Sequence, residues 1–396
     1  MKKKLIAIAV AGAMAAPMAA VAELKISGQL QTQVVQQSGN AGPNKGLYMT
    51  DGGHATGMNG GSWGSLAFNA SEDLGGGMKA LAHYSFNIST DATGTHGGLT
   101  GDNRTRSAYV GLSGDFGTVL AGRMNHPYKT STIGWDPMLG TFMQARFSGG
   151  MAGHGGASNI LYGTERDNTL AYANNFNGIR VVAGVILDEG ADRTGDGNKT
   201  TGNHAYAFSV NAPVGPVEIA VAHANLSKYG NDEAPAPAPA QGLANKSTAT
   251  KVGVRYSVGD FTLAGQIEML GQGMSTGLTL DANNFPVANS RKGNVMFLTG
   301  SYKMGANTIS ASLGRTDKRL VGNALDYVNN QDLGQKHQDY AAIQFSHAFS
   351  QKTNVFVGYR TTRNVIDTVS GSQATLDLVQ RHASSNAFGA GLRVRF

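Results

Sequence analysis

Cysteine is absent from all 396 residues. Its absence excludes a disulfide scaffold, a cysteine nucleophile and a thiolate-bound metal. Charged residues are sparse, at 15 %, which excludes a disordered polyelectrolyte. Long apolar runs are missing after residue 16, so only the amino terminus could pass for a membrane-spanning helix. The ten histidines are scattered without a His-Glu-x-x-His spacing, which gives zinc hydrolysis no support. No spacing singles out a serine, histidine and acid set. The chain therefore reads as a non-enzyme with no cofactor and no metal. The net charge of +6 is too weak to argue for nucleic acid.

The amino terminus reads as an export signal. Lys2, Lys3 and Lys4 precede an apolar run from Leu5 to Ala16, and Ala20-Val21-Ala22 offers a small-x-small cleavage site. Residues 1–22 are expected to be removed, leaving 23–396 as one domain. Losing three lysines lowers the formal charge from +6 to +3.

What is abundant is glycine, 55 residues, and a period of two. In "ELKISGQLQTQVV", Leu24, Ile26, Leu30 and Val34 share one face, and Lys25, Ser27, Gln29, Gln31 and Gln33 the other. "MKALAHYSFNIS" sets Tyr84, Phe86 and Ile88 against Lys79, His83 and Ser85. "TKVGVRYSV" sets Val252, Val254 and Tyr256 against Lys251 and Arg255. Tight connections (71–77, 113–117, 174–178, 212–216, 257–260, 303–307, 349–353) alternate with long polar ones. The long stretches are about 37–61, 90–103, 124–166, 188–202, 229–247, 271–293, 316–337 and 364–384. Sixteen strands in an up-and-down meander, with one rim of short turns and one of long loops, define an all-β transmembrane antiparallel barrel.

The physics of lipid favours closure, because every backbone N–H and C=O there needs a partner and a closed barrel has no edge. One strand face must then meet hydrocarbon and the other a wet interior. The last segment, "AFGAGLRVRF", fits: Phe388, Leu392, Val394 and Phe396 face lipid, and Arg393 and Arg395 face inward. Tyr84, Phe86, Tyr206 and Tyr302 fall on lipid faces and are expected to form interface girdles. By parity Lys79, His83 and Arg255 line the lumen. "DRTGDGN" (192–198) lacks the closing glutamate of a calcium loop, and "APAPAPA" (234–240) is a stiff spacer in a long loop.

Several stretches resemble the general porins of Gram-negative bacteria. They are "SEDLGGGMKA" (71–80), "RTRSAYVGLSGDFGTVLAGR" (104–123), "NTLAYANNFNGIRVVAGV" (168–185) and "HAFSQKTNVFVGY" (347–359). The resemblance implies a homotrimer in the outer membrane, passing ions and small hydrophilic solutes. It implies that Phe396 serves as the signal read by the outer-membrane assembly machinery. It also implies that the third long loop, about 124–166, folds into the lumen and narrows it. On that pattern Arg106 and Arg123 line the constriction, with Arg104 nearer the rim and Asp136 as the facing acid. The family's arginine ladder is thinned here, because Ser65 and Asn69 stand where arginine is common. Two arginines against one carboxylate imply a weak anion preference. The alternative is a substrate-selective porin for sugars, oligosaccharides or phosphate, with Tyr128, Trp135, Phe142 and Phe147 in or near the loop.

Overall fold

The computed structural model describes residues 23–39, 45–51, 63–90, 105–145, 165–187, 204–225, 248–270, 278–280, 286–288, 291–320, 334–372 and 375–396. The expected signal segment 1–22, Arg104, Phe147, and the stretches 192–198 and 234–240 lie outside these residues.

In chain order the first strands are β1 (Glu23–Gly39), the short β2 (Gly46–Thr50), β3 (Gly64–Gly75), β4 (Met78–Ile88), β5 (Thr105–Gly114) and β6 (Gly117–Met124). A four-residue helix, α1 (Pro127–Thr130), and one 3-10 turn (Ile133–Trp135) follow. Next come β7 (Arg166–Phe176), β8 (Ile179–Ile186), β9 (Ala205–Val214), β10 (Val217–Asn225), β11 (Thr248–Val258) and β12 (Phe261–Leu270). A separate ribbon of β13 (Leu278–Leu280) and β14 (Pro286–Ala288) precedes β15 (Arg291–Met304) and β16 (Asn307–Leu320). The chain ends with β17 (Gly334–Ala348), β18 (Thr353–Ser372) and β19 (Thr375–Arg395).

Sixteen of these strands form a closed antiparallel barrel, all but β2, β13 and β14. Closure falls on β1, whose first half pairs with β3, from Glu23 opposite Ser71 to Gln29 opposite Ser65. Its second half pairs with β19, from Gln29 opposite Arg395 to Gly39 opposite Ser385. The strand β2 covers the outer half of β1 on the side that β3 leaves open.

Tight turns join the strands at all seven places expected. Between β7 and β8, Asn177 (φ 52°) and Gly178 (φ 90°) both take positive φ, the two-residue hairpin geometry whose twist matches the flanking strands. The faces follow the expected alternation. On β1, Leu24 and Ile26 are 61 % and 55 % exposed, whereas Gln31 and Gln33 are buried. The exposed outward set continues around the wall with Val110, Leu313, Ile343 and Phe388. Tyr84, Tyr206 and Tyr302 are exposed, but Phe86, expected on the lipid face, is buried beside the register shift at Ser85 and Phe86, stacked on Phe68 and tilted against Tyr84.

Two of the expected loops need correction. Residues 364–384 read as a polar loop, yet β18 and β19 continue as one ladder to Ser372 opposite Thr375. Beyond the hydrocarbon layer a strand needs no lipid face, so the hydropathy alternation stops while the backbone hydrogen bonds go on. The strands β16 and β17 likewise run into the expected loop 316–337.

Candidate functional site

The segment that follows β6 leaves the wall and packs back against the inward faces of the strands. Its first landing is on β9 to β12. Pro127 starts α1, where a missing N–H costs nothing. The Tyr128 hydroxyl donates to Glu268 Oε2 (2.8 Å), and Lys251 Nζ donates to the Tyr128 carbonyl (2.8 Å) while lying 4.4 Å from the ring centroid. Gln266 donates to the other Glu268 oxygen (2.6 Å). Lys251 and Glu268 are both buried and stand opposite each other in register. A buried charge is costly unless paired and hydrogen-bonded. The clasp meets that condition for both. Asn211 adds a bond to the Ser131 carbonyl (3.0 Å). Trp135 then lies over Gly253, where a Cβ would stand 2.6 Å from its ring, with the Arg255 guanidinium 5.7 Å from the ring centroid.

The second landing is on the far wall, made by β17, β18, β19 and β1. Asp136 folds the segment on itself, accepting from the backbone N–H of Met138 (2.8 Å) and of Ala145 (3.0 Å). Met138, Phe142 and Met143 are fully buried in one cluster with Val35, Phe297, Tyr340 and Phe356. The cluster forms because two inward-facing glycines, Gly358 and Gly389, are paired across β18 and β19. A side chain at Gly358 would collide with Met143, and one at Gly389 would meet Phe142 at 3.1 Å. Polar side chains of the wall hold the loop backbone beside that hollow. Arg360 Nη1 donates to the Phe142 carbonyl (2.8 Å) and Arg393 Nη2 to the Leu139 carbonyl (2.9 Å). Gln33 accepts from the Phe142 N–H (2.8 Å), Gln31 donates to the Gly140 carbonyl, and the Tyr340 hydroxyl donates to the Met143 carbonyl. Residues 126–145 are thus bonded to two walls of the barrel.

The residues singled out from sequence fall around this segment. Arg106 reaches Glu165 (3.7 Å) and lies 5.2 Å from the Trp63 ring centroid. Glu165 also takes Lys129 (3.4 Å), so one carboxylate serves two cations. Strict alternation from the outward Val110 would turn Arg106 toward lipid. A register shift intervenes: Ser85 faces Ser107 and Phe86 faces Thr105, leaving Arg106 as the extra residue of a bulge. Bulges re-aim a side chain in this way. Arg123 stands opposite Ala108, on the strand face shared with Val110, and is held by Asp167 (2.9 Å) and by the Thr105 carbonyl (3.1 Å). Among the described residues the ion pairs of Arg106 and Arg123 therefore go to Glu165 and Asp167, while Asp136 shapes the loop. Arg104 lies outside the described residues. His83 stacks on Tyr109 at 4.8 Å and bonds to Asn69 (2.7 Å) and Ser85 (3.1 Å). Arg255 pairs with Glu218, its register partner. Lys79 is exposed near the turn into β4. Phe396 closes the wall against Gly28.

Alternation places Arg360 and Arg393 on inward faces, but none of Arg360, Arg393, Lys129, Glu165 and Trp63 was read from sequence as a contact of the loop or of Arg106. A signal for two of them exists: Arg360 and Arg393 each stand two residues from an inward glycine, Gly358 and Gly391. An arginine beside a gap on the same strand face marks a place where another segment can approach. Around the segment, Arg106, Lys129, Lys251, Arg255, Arg360 and Arg393 stand against Asp51, Asp136, Glu165, Glu218 and Glu268, an excess of one positive charge. Arg123 and Asp167 cancel.

A model of the Gram-negative porin family matches residues 7–367. Outer membrane porin protein 32 of Delftia acidovorans is 32 % identical over 194 residues, 48 % of this chain and 50 % of that protein. Major outer membrane protein P.IA of Neisseria meningitidis is 29 % identical over 160 residues, 35 % of this chain and 36 % of that protein. These alignments span half or less of the relatives' own lengths. In three dimensions the anion-selective porin from Comamonas acidovorans superimposes with a TM-score of 0.65 at 21 % identity, covering 95 % of this chain and 100 % of that one. Salmonella typhi OmpF superimposes with a TM-score of 0.62 at 11 % identity, over 94 % and 97 %. The chain belongs to the Gram-negative porin family and is a multi-pass protein of the outer membrane.

Proposed function

We propose that the barrel is a water-filled channel for passive diffusion of ions and small hydrophilic solutes, with a weak preference for anions. The observation that carries this reading is the double anchoring of residues 126–145. A segment tied to both walls lies across the path and narrows it. The charges beside it, six cationic side chains against five carboxylates, tilt the sign toward anions. Arg106, paired with Glu165, acts here as a wall charge, whereas Arg123, expected at the constriction, lies on the strand face of Val110 and is neutralised by Asp167. Each carboxylate partner weakens the field of its arginine, which keeps the preference mild. The anion-selective Comamonas porin, alike in fold, agrees in sign.

The working unit is a homotrimer in this reading. Leu24, Ile26, Leu47 and Met49 on β1 and β2 expose a continuous apolar face suited to packing between subunits. Light scattering in mild detergent tests it, and a monomer would refute it.

Purified protein in a planar bilayer across a potassium chloride gradient tests the channel. The expected result is a stable conductance with a reversal potential a few-fold in favour of chloride. A closed pore would overturn the channel reading, and strong cation selectivity would overturn the charge reading.

A further inference from the structure

The inward faces of β3 to β6 carry a feature that a wet wall does not require. His83 and Tyr109 stand opposite each other in register and stack, with 4.8 Å between ring centroids and 16° between planes. Asn69, the register partner of His83 on β3, and Ser85 engage the two imidazole nitrogens (2.7 and 3.1 Å), which fixes the stack. His83 covers one side of the half-buried Tyr109. On the other side the register partner is Gly122, which puts no side chain against the ring. One step toward the short turns, Gly111 lies in register between Leu81 and Leu120. Leu120 folds over it, since a Cβ on Gly111 would stand 2.5 Å from Leu120 Cδ2. Both leucines are half-buried on the face that meets water.

Toward the long-loop rim the same face ends on a cation. Arg106, the bulge residue turned inward, precedes Tyr109 by about 10 Å of strand at ~3.4 Å per residue. Its contact with Glu165 runs through Nε at 3.7 Å, too long for a hydrogen bond, and its side chain is 26 % exposed. Glu165 is shared with Lys129, so two cations against one carboxylate leave one positive charge at the head of the stack. The polar groups beside the rings are already engaged, because Asn69, His83 and Ser85 bond to one another. A polyol passing here meets two leucines and the Tyr109 hydroxyl, too few partners for its own hydroxyls. A flat apolar ring with one acidic group meets a stacking face, an aliphatic floor and a guanidinium.

We propose that this stretch of wall is a binding site for planar aromatic carboxylates in transit, with the ring stacked on Tyr109 over Gly122 and the carboxylate turned to Arg106. The inference rests on the channel reading above and names a solute class for it. Stacking on a ring that is already held costs little ordering and adds to the apolar contact with Leu81 and Leu120. A mostly apolar lining with one well-placed polar group is the usual make-up of a small-molecule site. The guanidinium fork matches a carboxylate. Conduction needs binding strong enough to draw a solute in and weak enough to release it. One ring face and one shared cation supply binding of that modest kind.

The test is saturation-transfer NMR on the intact protein refolded in deuterated mild detergent, titrated with sodium benzoate, a readout that needs no conduction. Saturable binding is expected on the wild type, weakened about three- to tenfold by Tyr109→Leu, the range of one aromatic stack. Arg106→Gln should weaken it about tenfold, in line with the loss of one charged hydrogen bond. Cyclohexanecarboxylate (same charge, puckered ring), benzamide (same ring, no charge) and glucose should all bind the wild type more weakly than benzoate, comparisons that need no variant to fold. Equal binding of benzoate by wild type and Tyr109→Leu would overturn the site. Cyclohexanecarboxylate, benzamide or glucose binding as tightly as benzoate would overturn the proposed occupant. Single-channel recording in potassium chloride with benzoate added separates this inference from the channel reading. A conducting pore with no saturable benzoate signal sinks the site alone, and a closed pore that still binds benzoate sinks the channel alone.

Discussion

Gly28 and Phe396 exchange two backbone hydrogen bonds, each 3.0 Å, and the Phe396 ring lies where a Cβ on Gly28 would stand, 2.6 Å away. The last residue is thereby laid on the first strand, and the ring covers the seam. Deleting Phe396 should remove both bonds and expose the seam, lowering the amount of folded protein in the outer membrane. Gly28→Leu should do the same by displacing the ring, with a loss of about 1–3 kcal/mol from overpacking. Surface labelling and heat-shifted gel mobility measure both. Normal levels of the deletion variant would refute a role for Phe396 in assembly.

Filling the hollow under the loop is a second test. Gly358→Leu places a side chain where Met143 packs. The 138–145 stretch should lift from β18, and single-channel conductance should rise while the barrel keeps its strand signal by circular dichroism. Unchanged conductance would mean that this stretch does not limit flow.

The clasp at the other landing should report on loop motion instead of pore size. Tyr128→Phe removes the donor to Glu268 and leaves a buried carboxylate short of one bond, at a cost of about 1–3 kcal/mol. The expected outcome is a lower melting temperature with noisier open-channel current at similar mean conductance. A quiet trace and an unshifted melting temperature would remove the clasp from the account.

Selectivity should depend on where a charge sits. Arg106→Glu places a second carboxylate beside Glu165 and should move the reversal potential toward cations. Arg395→Glu, exposed at the short-turn rim, should move it much less. Both shifts should shrink between 0.1 M and 1 M salt, as the screening length falls from about 10 Å to about 3 Å. Equal shifts from the two variants would place the filter elsewhere.

The barrel was legible because lipid imposes a rule on each strand separately: Leu24, Ile26 and Val34 must be apolar whatever the rest of the chain does. The seven tight turns were legible for a similar reason, as with the Asn177–Gly178 hairpin. The path of the third loop obeys no such local rule. It is set by what is missing, the side chains of Gly253, Gly358 and Gly389, more than a hundred residues from the loop they receive. Arg106 was assigned to the constriction by the family resemblance alone, since strict alternation from Val110 points it outward and only one bulge residue reverses that parity. The 364–384 ladder escaped because outside the bilayer a strand no longer advertises itself by alternation.

The paired gap at Gly358 and Gly389 makes the wall a mould and the loop its casting. Neither can drift alone: a bulkier wall residue needs a smaller loop residue, and the converse. A third loop grafted from a relative onto this barrel would arrive without the counter-relief that seats it, unless β18 and β19 came with it. Exchange of permeation properties between such proteins therefore has a natural unit, the loop together with the strands it lies on, although hundreds of residues separate them along the chain.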